Sequence, residues 1–403
     1  MNAPATELAR GDAIARRNAL VLATSMALAG ANASVVIATG SILGAMLAPS
    51  KALATLPVST FVLGTALFTF PSSYLMKAIG RRAGFMTGGI AGVLAGLTGA
   101  AAVWFGSFWL FVAATTLCGA YQSFVVLYRY AAADTASAAF RPKAISWVMV
   151  GGGLAALVGP PLVIATKDLF PPLLFLATYL GQAVFAGLAI LVVARFEDGP
   201  PISAAAAGAA RGLGALLSQG RLVAAIVTGM VSQAMMNMVM TATPLAMVGC
   251  GFSVTQSTLG IQWHVLAMYL PSFFTGNIVS RFGKGPLALA GLAMLIVSGL
   301  VNLSGQALWN FWGALILLGI GWNFAFVAAT ALVTDCHTPA ERAKVQGFTD
   351  FVIFGGTTIA SFMAGFLYDT IGWSALNWVL LPVTALAMLA IVVSGAARRP
   401  TAA

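Results

Sequence analysis

The chain has 403 residues, of which 60% are hydrophobic and 7% charged, whereas an ordinary soluble domain carries about 25% charged residues. So little polar surface excludes a soluble globular fold and points to a polytopic membrane protein. The formal net charge of +10 would fit a nucleic-acid binder only if the cations formed a patch, and the three cysteines, Cys118, Cys250 and Cys336, have no metal or redox spacing.

Glu7, Arg10, Asp12, Arg16 and Arg17 precede an apolar run from Asn18 to about Gly40. A basic start before an apolar run has the form of a signal peptide. This run is too long for one, and eleven more follow, so it is expected to be retained. About 20 apolar residues cross a bilayer as a helix. The predicted spans are 18–42, 52–75, 84–104, 108–130, 144–166, 173–194, 222–247, 256–280, 286–304, 307–331, 345–367 and 373–395. Between the sixth and seventh lies the one long break, rich in small residues and without apolar period. The expected organisation is an N-terminal six-helix bundle at 1–194, a cytoplasmic linker at 195–220 with room for a short surface helix, and a C-terminal six-helix bundle at 221–403.

Placing the N-terminus in the cytoplasm puts every Lys and Arg inside except Lys51 and Lys167, out of 20 in all. That is a positive-inside pattern. It predicts two cytoplasmic termini and explains the net charge through topology and attraction to anionic inner-leaflet lipid rather than through nucleic acid.

The two halves repeat. Tyr121-Gln122, Asp134, Arg141 and Lys143 recur as Trp322-Asn323, Asp335, Arg342 and Lys344 at an offset of 201, and Gly80-Arg81 recurs as Gly283-Lys284 at 203. A repeat on this scale sets the architecture. The loop after the second span, Ser73 to Arg82 with Gly80, Arg81 and Arg82, and the loop after the eighth, with Gly276, Arg281, Gly283 and Lys284, resemble the Gly-x-x-x-Asp-Arg-x-Gly-Arg-Arg loop of the major facilitator superfamily. Lys77 and Ser280 stand where that family has its acid, so a charge latch built on the acid is in doubt. Plain positive-inside anchoring is the other reading of the loop cations. The Asp134/Arg141 and Asp335/Arg342 pairs resemble the family's loops after spans four and ten, and residues seven apart share a helix face.

The resemblance implies an all-α membrane protein: twelve transmembrane helices in two pseudo-symmetric bundles around a cavity open alternately to each side, with the substrate near the midplane. It also implies that spans one, four, seven and ten line the cavity. Asn32, Tyr121, Gln122, Gln233, Asn237, Trp322 and Asn323 are then substrate candidates. The alternative for the amides is helix-to-helix bonding. Span eight adds Trp263 and His264, in a run from Gln262 to Gly276 similar to a bacterial subgroup that includes riboflavin uptake carriers; Pro271 and Gly276 mark expected bends. Histidine titrates near neutral pH, so His264 is read either as a binding or coupling residue or as a neutral histidine bonded inside the bundle. Asp350, the one acid well inside a span, is either a proton carrier or the partner of a basic residue at the cytoplasmic gate. Gly159-Pro160-Pro161 partly resembles an antiporter signature and is taken as packing and hinge.

No phosphate-binding loop, metal cluster or nucleophile-base arrangement appears in the sequence. The expectation is a monomeric, cofactor-free secondary transporter of the bacterial inner membrane, importing a small organic solute with protons. A riboflavin-like vitamin is one cargo. Proton-driven efflux of drugs or metabolites is the main rival, and a non-transporting membrane receptor the remote one.

Overall fold

The computed structural model describes residues 3–134, 140–198, 211–338 and 341–396. The described residues form helices and turns and no strand. That is the outcome bilayer solvation imposes on long apolar segments, which must satisfy every backbone group internally.

The first unit, Met1–Ile202, holds α1 (Ala3–Leu47), α2 (Leu56–Ile79), α3 (Arg81–Phe105), α4 (Phe108–Val126), α5 (Tyr128–Asp134), α6 (Arg141–Leu154), α7 (Gly159–Thr166) and α8 (Leu176–Val193). The second, Ser203–Ala403, holds α9 (Leu213–Leu217), α10 (Gly220–Gly249), α11 (Val254–Tyr269), α12 (Ser272–Phe282), α13 (Lys284–Leu303), α14 (Leu308–Asp335), α15 (Arg342–Thr370) and α16 (Trp373–Val393). Spans four and five are each delivered in two helical pieces, α4 with α5 and α6 with α7.

Among the described residues, eleven segments are long and apolar enough to cross a membrane. The twelfth expected span is present but broken. Pro271 has no amide proton to continue the helix, so span eight divides into α11 of 16 residues and α12 of 11, each shorter than the about 20 that cross alone.

The repeat read in the sequence is also a repeat in packing. In the first unit α3 packs on α4 and α8, α2 on α4, and α1 on α6. In the second, α13 packs on α14 and α16, α11 on α14, and α10 on α15. These are the same pairs of spans, shifted by six. Small residues permit the approach. A Cβ on Gly92 or Gly88 of α3 would lie 2.4 or 2.6 Å from the rings of Tyr121 and Phe124 on α4. One on Gly291 of α13 would lie 2.4 Å from the Ala325 amide of α14.

Candidate functional site

Within the first unit, α1 buries Asn32 to 1% exposure, and neither atom of its amide has a hydrogen-bond partner among the described residues. Buried amides are nearly always bonded, so this is a group a polar ligand would satisfy. On α4, Tyr121 is buried in the core with its ring in the hollow over Gly92. Its neighbour Gln122 is half-buried. Gln182 of α8, which sequence reasoning passed over, is buried with Nε2 donating to Cys118 Sγ at 3.8 Å and Oε1 unpartnered among the described residues. A lone glutamine in an apolar run was its only signal.

The second unit arranges its candidates differently. Trp322 Nε1 donates to Gln233 Oε1 at 2.6 Å. The Trp322 ring stacks on Phe326, centroids 5.1 Å apart, and meets the edge of Tyr269 at 6.4 Å. Phe326 and Tyr269 are half-buried, so α10, α11 and α14 present an aromatic patch with an amide at its rim. Asn237, one turn beyond Gln233, accepts from Thr241 Oγ1 at 3.4 Å.

Asn323 is placed elsewhere than its neighbour. It is buried, and its side-chain bonds close the break in span eight. Nδ2 donates to the Met268 carbonyl and to Ser272 Oγ, both at 2.7 Å, while Thr275 Oγ1 donates to Oδ1 at 2.7 Å. The aromatic–amide pair therefore serves two faces of α14. Trp263 and His264 are also separated. Trp263 is 47% exposed, whereas His264 is fully buried against α14, Nδ1 lying 2.7 Å from the Leu315 carbonyl. A carbonyl only accepts, so Nδ1 carries the hydrogen and Nε2, without a partner among the described residues, keeps its lone pair. Asp350 is half-buried on α15, roughly two turns from the helix start.

The loop glycines share one backbone geometry. Gly80 has φ 87°, ψ 160° and Gly283 has φ 92°, ψ 161°, a region closed to side chains. Each ends one helix and starts the next. The acid missing from the first loop is supplied from a distance: Asp198 Oδ1 accepts from the amides of Arg81 and Arg82 at 3.1 and 3.2 Å, capping α3. Beside it, Glu197 pairs with Arg17, and its backbone exchanges two hydrogen bonds with the Asn18 side chain. In the second unit Lys284 Nζ donates to Asp335 Oδ1 at 2.6 Å and to the Ala331 carbonyl at 3.0 Å. The Arg281 guanidinium lies over the Phe282 ring, and a Cβ at Gly276 would meet open space. The side chains of Asp134, Arg141 and Arg342 lie outside the described residues.

A further ion pair was not legible in the sequence. Glu341, 1% exposed, accepts from Arg211 Nε at 2.6 Å, Arg211 Nη2 at 2.8 Å and the Arg211 amide at 3.0 Å. Lys344 Nζ donates to the Arg211 carbonyl at 2.9 Å. Arg211, with help from the Thr338 amide, holds the Glu341 carboxyl well below the usual carboxylate range. The end of the expected linker is thus docked where α14 ends and α15 begins.

Known proteins resemble the chain throughout. The Major Facilitator Superfamily model matches residues 20–269 and 228–403. The riboflavin transporter RfnT of Brucella anthropi is 46% identical over 381 residues, 94% of this chain and 96% of that one. An MFS-type transporter of Bacillus subtilis, YddS, is 31% identical over 90% of this chain and 89% of its own length. Among solved structures, the nucleoside transporter NupG superposes with a TM-score of 0.70 at 13% identity, covering 95% of this chain and 98% of NupG. The human organic anion transporter MFSD10 does so at 0.67 and 16%, covering 94% and 99%. At those identities the structures speak for the fold. Twelve spans, duplicated loops and these matches make the chain a member of the major facilitator superfamily, a multi-pass membrane transporter and not an enzyme.

Proposed function

We propose that the chain is a secondary active importer of riboflavin or a closely related flavin, driven by protons. The observation that carries the cargo is the similarity, over nearly the full length, to the riboflavin transporter of Brucella anthropi. The chemistry of the candidate side chains supports the same cargo. A flavin is a flat, polar-edged ring, and the Trp322–Phe326 stack with Gln233 at its rim offers offset stacking and an amide to one such ring. Asn32 offers, in the first unit, an amide with no bond among the described residues. Gln122 is proposed as a cargo contact, and Asn323 as the brace of span eight. Tyr121, Asn237, Trp263 and His264 stay secondary candidates.

Asp350 is proposed as the proton carrier, with His264 as the next candidate. The gating loops are proposed to act through Gly80, Arg81, Arg82, Asp134 and Arg141 in the first unit and through Gly276, Arg281, Gly283, Lys284, Asp335 and Arg342 in the second. The proposed domains are 1–194 and 221–403 joined by 195–220. The protein is proposed to work as a monomer in the bacterial inner membrane with both termini cytoplasmic.

The test is accumulation of labelled riboflavin by a riboflavin auxotroph expressing the chain, with and without a protonophore. Protonophore-sensitive uptake above the vector control is expected. Efflux from preloaded cells without uptake would replace this reading with the drug or metabolite exporter. A tag at Ala205 reachable from outside would overturn the orientation.

A further inference from the structure

Pro71 and Pro271 stand 200 residues apart, and each is followed by a serine, Ser72 and Ser272. A proline inside a helix removes one backbone bond and crowds the turn before it. Span two nevertheless stays continuous through Pro71, whereas span eight divides at Pro271. The side chain facing the joint differs between the halves. In the first unit it is Ser123 of α4, whose hydroxyl lies 2.5 Å from that of Ser72. Ser123 Oγ donates to the Ala120 carbonyl at 2.7 Å, so the Ser72 hydroxyl donates to Ser123. In the second unit the residue 200 positions on is Asn323. Its amide bonds both sides of the joint, Met268 on α11 and Ser272 and Thr275 on α12. In an unbroken helix the Met268 carbonyl receives the Ser272 amide; here Asn323 Nδ2 donates to it at 2.7 Å. An asparagine can thus hold the joint bent. The single hydroxyl of Ser123 has no second group with which to do so.

Before the proline, each span is fastened to its neighbour. A Cβ on Gly64 of α2 would lie 2.6 Å from the Thr116 carbonyl of α4. α11 is tied to α14 by Trp312 Nε1, which donates to the Gln256 carbonyl at 3.1 Å, and by His264 Nδ1, which donates to the Leu315 carbonyl at 2.7 Å. Past the proline, each span runs only to a glycine of positive φ, Gly80 at 87° or Gly283 at 92°. Residues 72–79 and 272–282 are therefore helical rods with a joint at each end, about 12 and 16 Å long. We propose that Ser123 and Asn323 are positioning residues for the transport cycle. They pin two proline-hinged rods that swing and carry the loops at Gly80 and Gly283, the first joint held straight and the second held bent. This rests on the chain being a transporter and not on its cargo.

The experiment measures spin-label distances on the purified full chain, with Cys118, Cys250 and Cys336 replaced by alanine. One label pair, at Leu259 and Phe282, spans the second joint; the other, at Leu63 and Ile79, spans the first. A straight helix would hold them about 35 and 24 Å apart. The first pair is expected below its straight-helix distance and the second pair at its own. Pro271→Ala restores the missing amide and should lengthen the first pair toward about 35 Å. Asn323→Ala and Ser123→Ala should each broaden the distribution at their own joint only. Asn302→Ala removes a buried amide bonded to Asn377, away from the joint, and should broaden neither. An unchanged distance in Pro271→Ala would overturn the proposal, and that variant decides the matter if Asn323→Ala does not fold. Equal broadening by Asn302→Ala would also overturn it, in favour of general loosening. In uptake assays Asn323→Ala should lower the maximal rate and leave the half-saturating concentration unchanged, because the step affected is a gating motion. A changed half-saturating concentration alone would make Asn323 a cargo contact and overturn its positioning role. If wild type carries no riboflavin, the proposed cargo fails and the distances still decide this inference.

Discussion

Asn323 and Gln122 occupy equivalent places in the repeat and carry different loads. Asn323 makes three side-chain bonds across the break in span eight. Removing it strands the Met268 carbonyl, where a stranded buried group costs about 1–3 kcal/mol, although bonds between membrane helices average only about 0.6 kcal/mol; Thr275 Oγ1 keeps its bond to the Pro271 carbonyl. Asn323→Ala is therefore expected to lower the melting temperature of the purified protein, by about 2 kcal/mol of stability. Gln122→Ala is expected to leave melting unchanged and to weaken apparent riboflavin affinity. The reverse pattern would exchange the two roles. For Asp350, the isosteric Asp350→Asn cannot ionise. It should abolish accumulation driven by a pH gradient while retaining exchange of labelled for unlabelled cargo. Loss of both activities would make Asp350 a gate partner, and wild-type accumulation would move the search to His264.

Helices here are shaped by where glycine and proline fall. Gly80 and Gly283 turn the chain between successive spans at φ 87° and 92°, and a Cβ at Gly80 would also lie 3.1 Å from Asp198 Oδ2. Gly80→Ala and Gly283→Ala should each cost about 1–3 kcal/mol of backbone strain, read as lowered melting temperature. Gly313→Ala, in α14 with nothing near its Cβ, should be neutral or stabilising by up to about 1 kcal/mol. An equal drop for all three would refute the strain account. Pro271 breaks span eight as its chemistry requires, and that much was readable in advance. The brace was not, because Asn323 reaches the break from 48 to 55 residues away.

Across the whole molecule, each unit clasps a stretch of chain beyond its bundle. Glu197 and Asp198 fasten the exit of the first unit, and Glu341 fastens Arg211 in the second. The Glu341 carboxyl is depressed by Arg211, so its contribution to stability is present above the ordinary carboxylate value of about 4.3 and fades as pH falls through its lowered folded value. Glu341→Gln is expected to speed tryptic cleavage after Arg211 at neutral pH. The melting-temperature gap between variant and wild type should narrow on acidification below about pH 4. Unchanged cleavage would mean that the pair does not hold the segment.

The sequence by itself determined the class, the count of spans and the twofold repeat, because bilayer solvation demands long apolar helices and a repeat needs only matching spacings. It also located the loop glycines and the bend at Pro271, both properties of single residues. Only the tertiary structure decided which polar groups are spoken for. Whether an amide in a span is unbonded like Asn32 or fully engaged like Asn323, and whether an acid far along the chain replaces one missing from a loop, as Asp198 does, depends on contacts between helices. Those contacts join residues more than a hundred positions apart as readily as neighbours, and no local pattern of the chain encodes them.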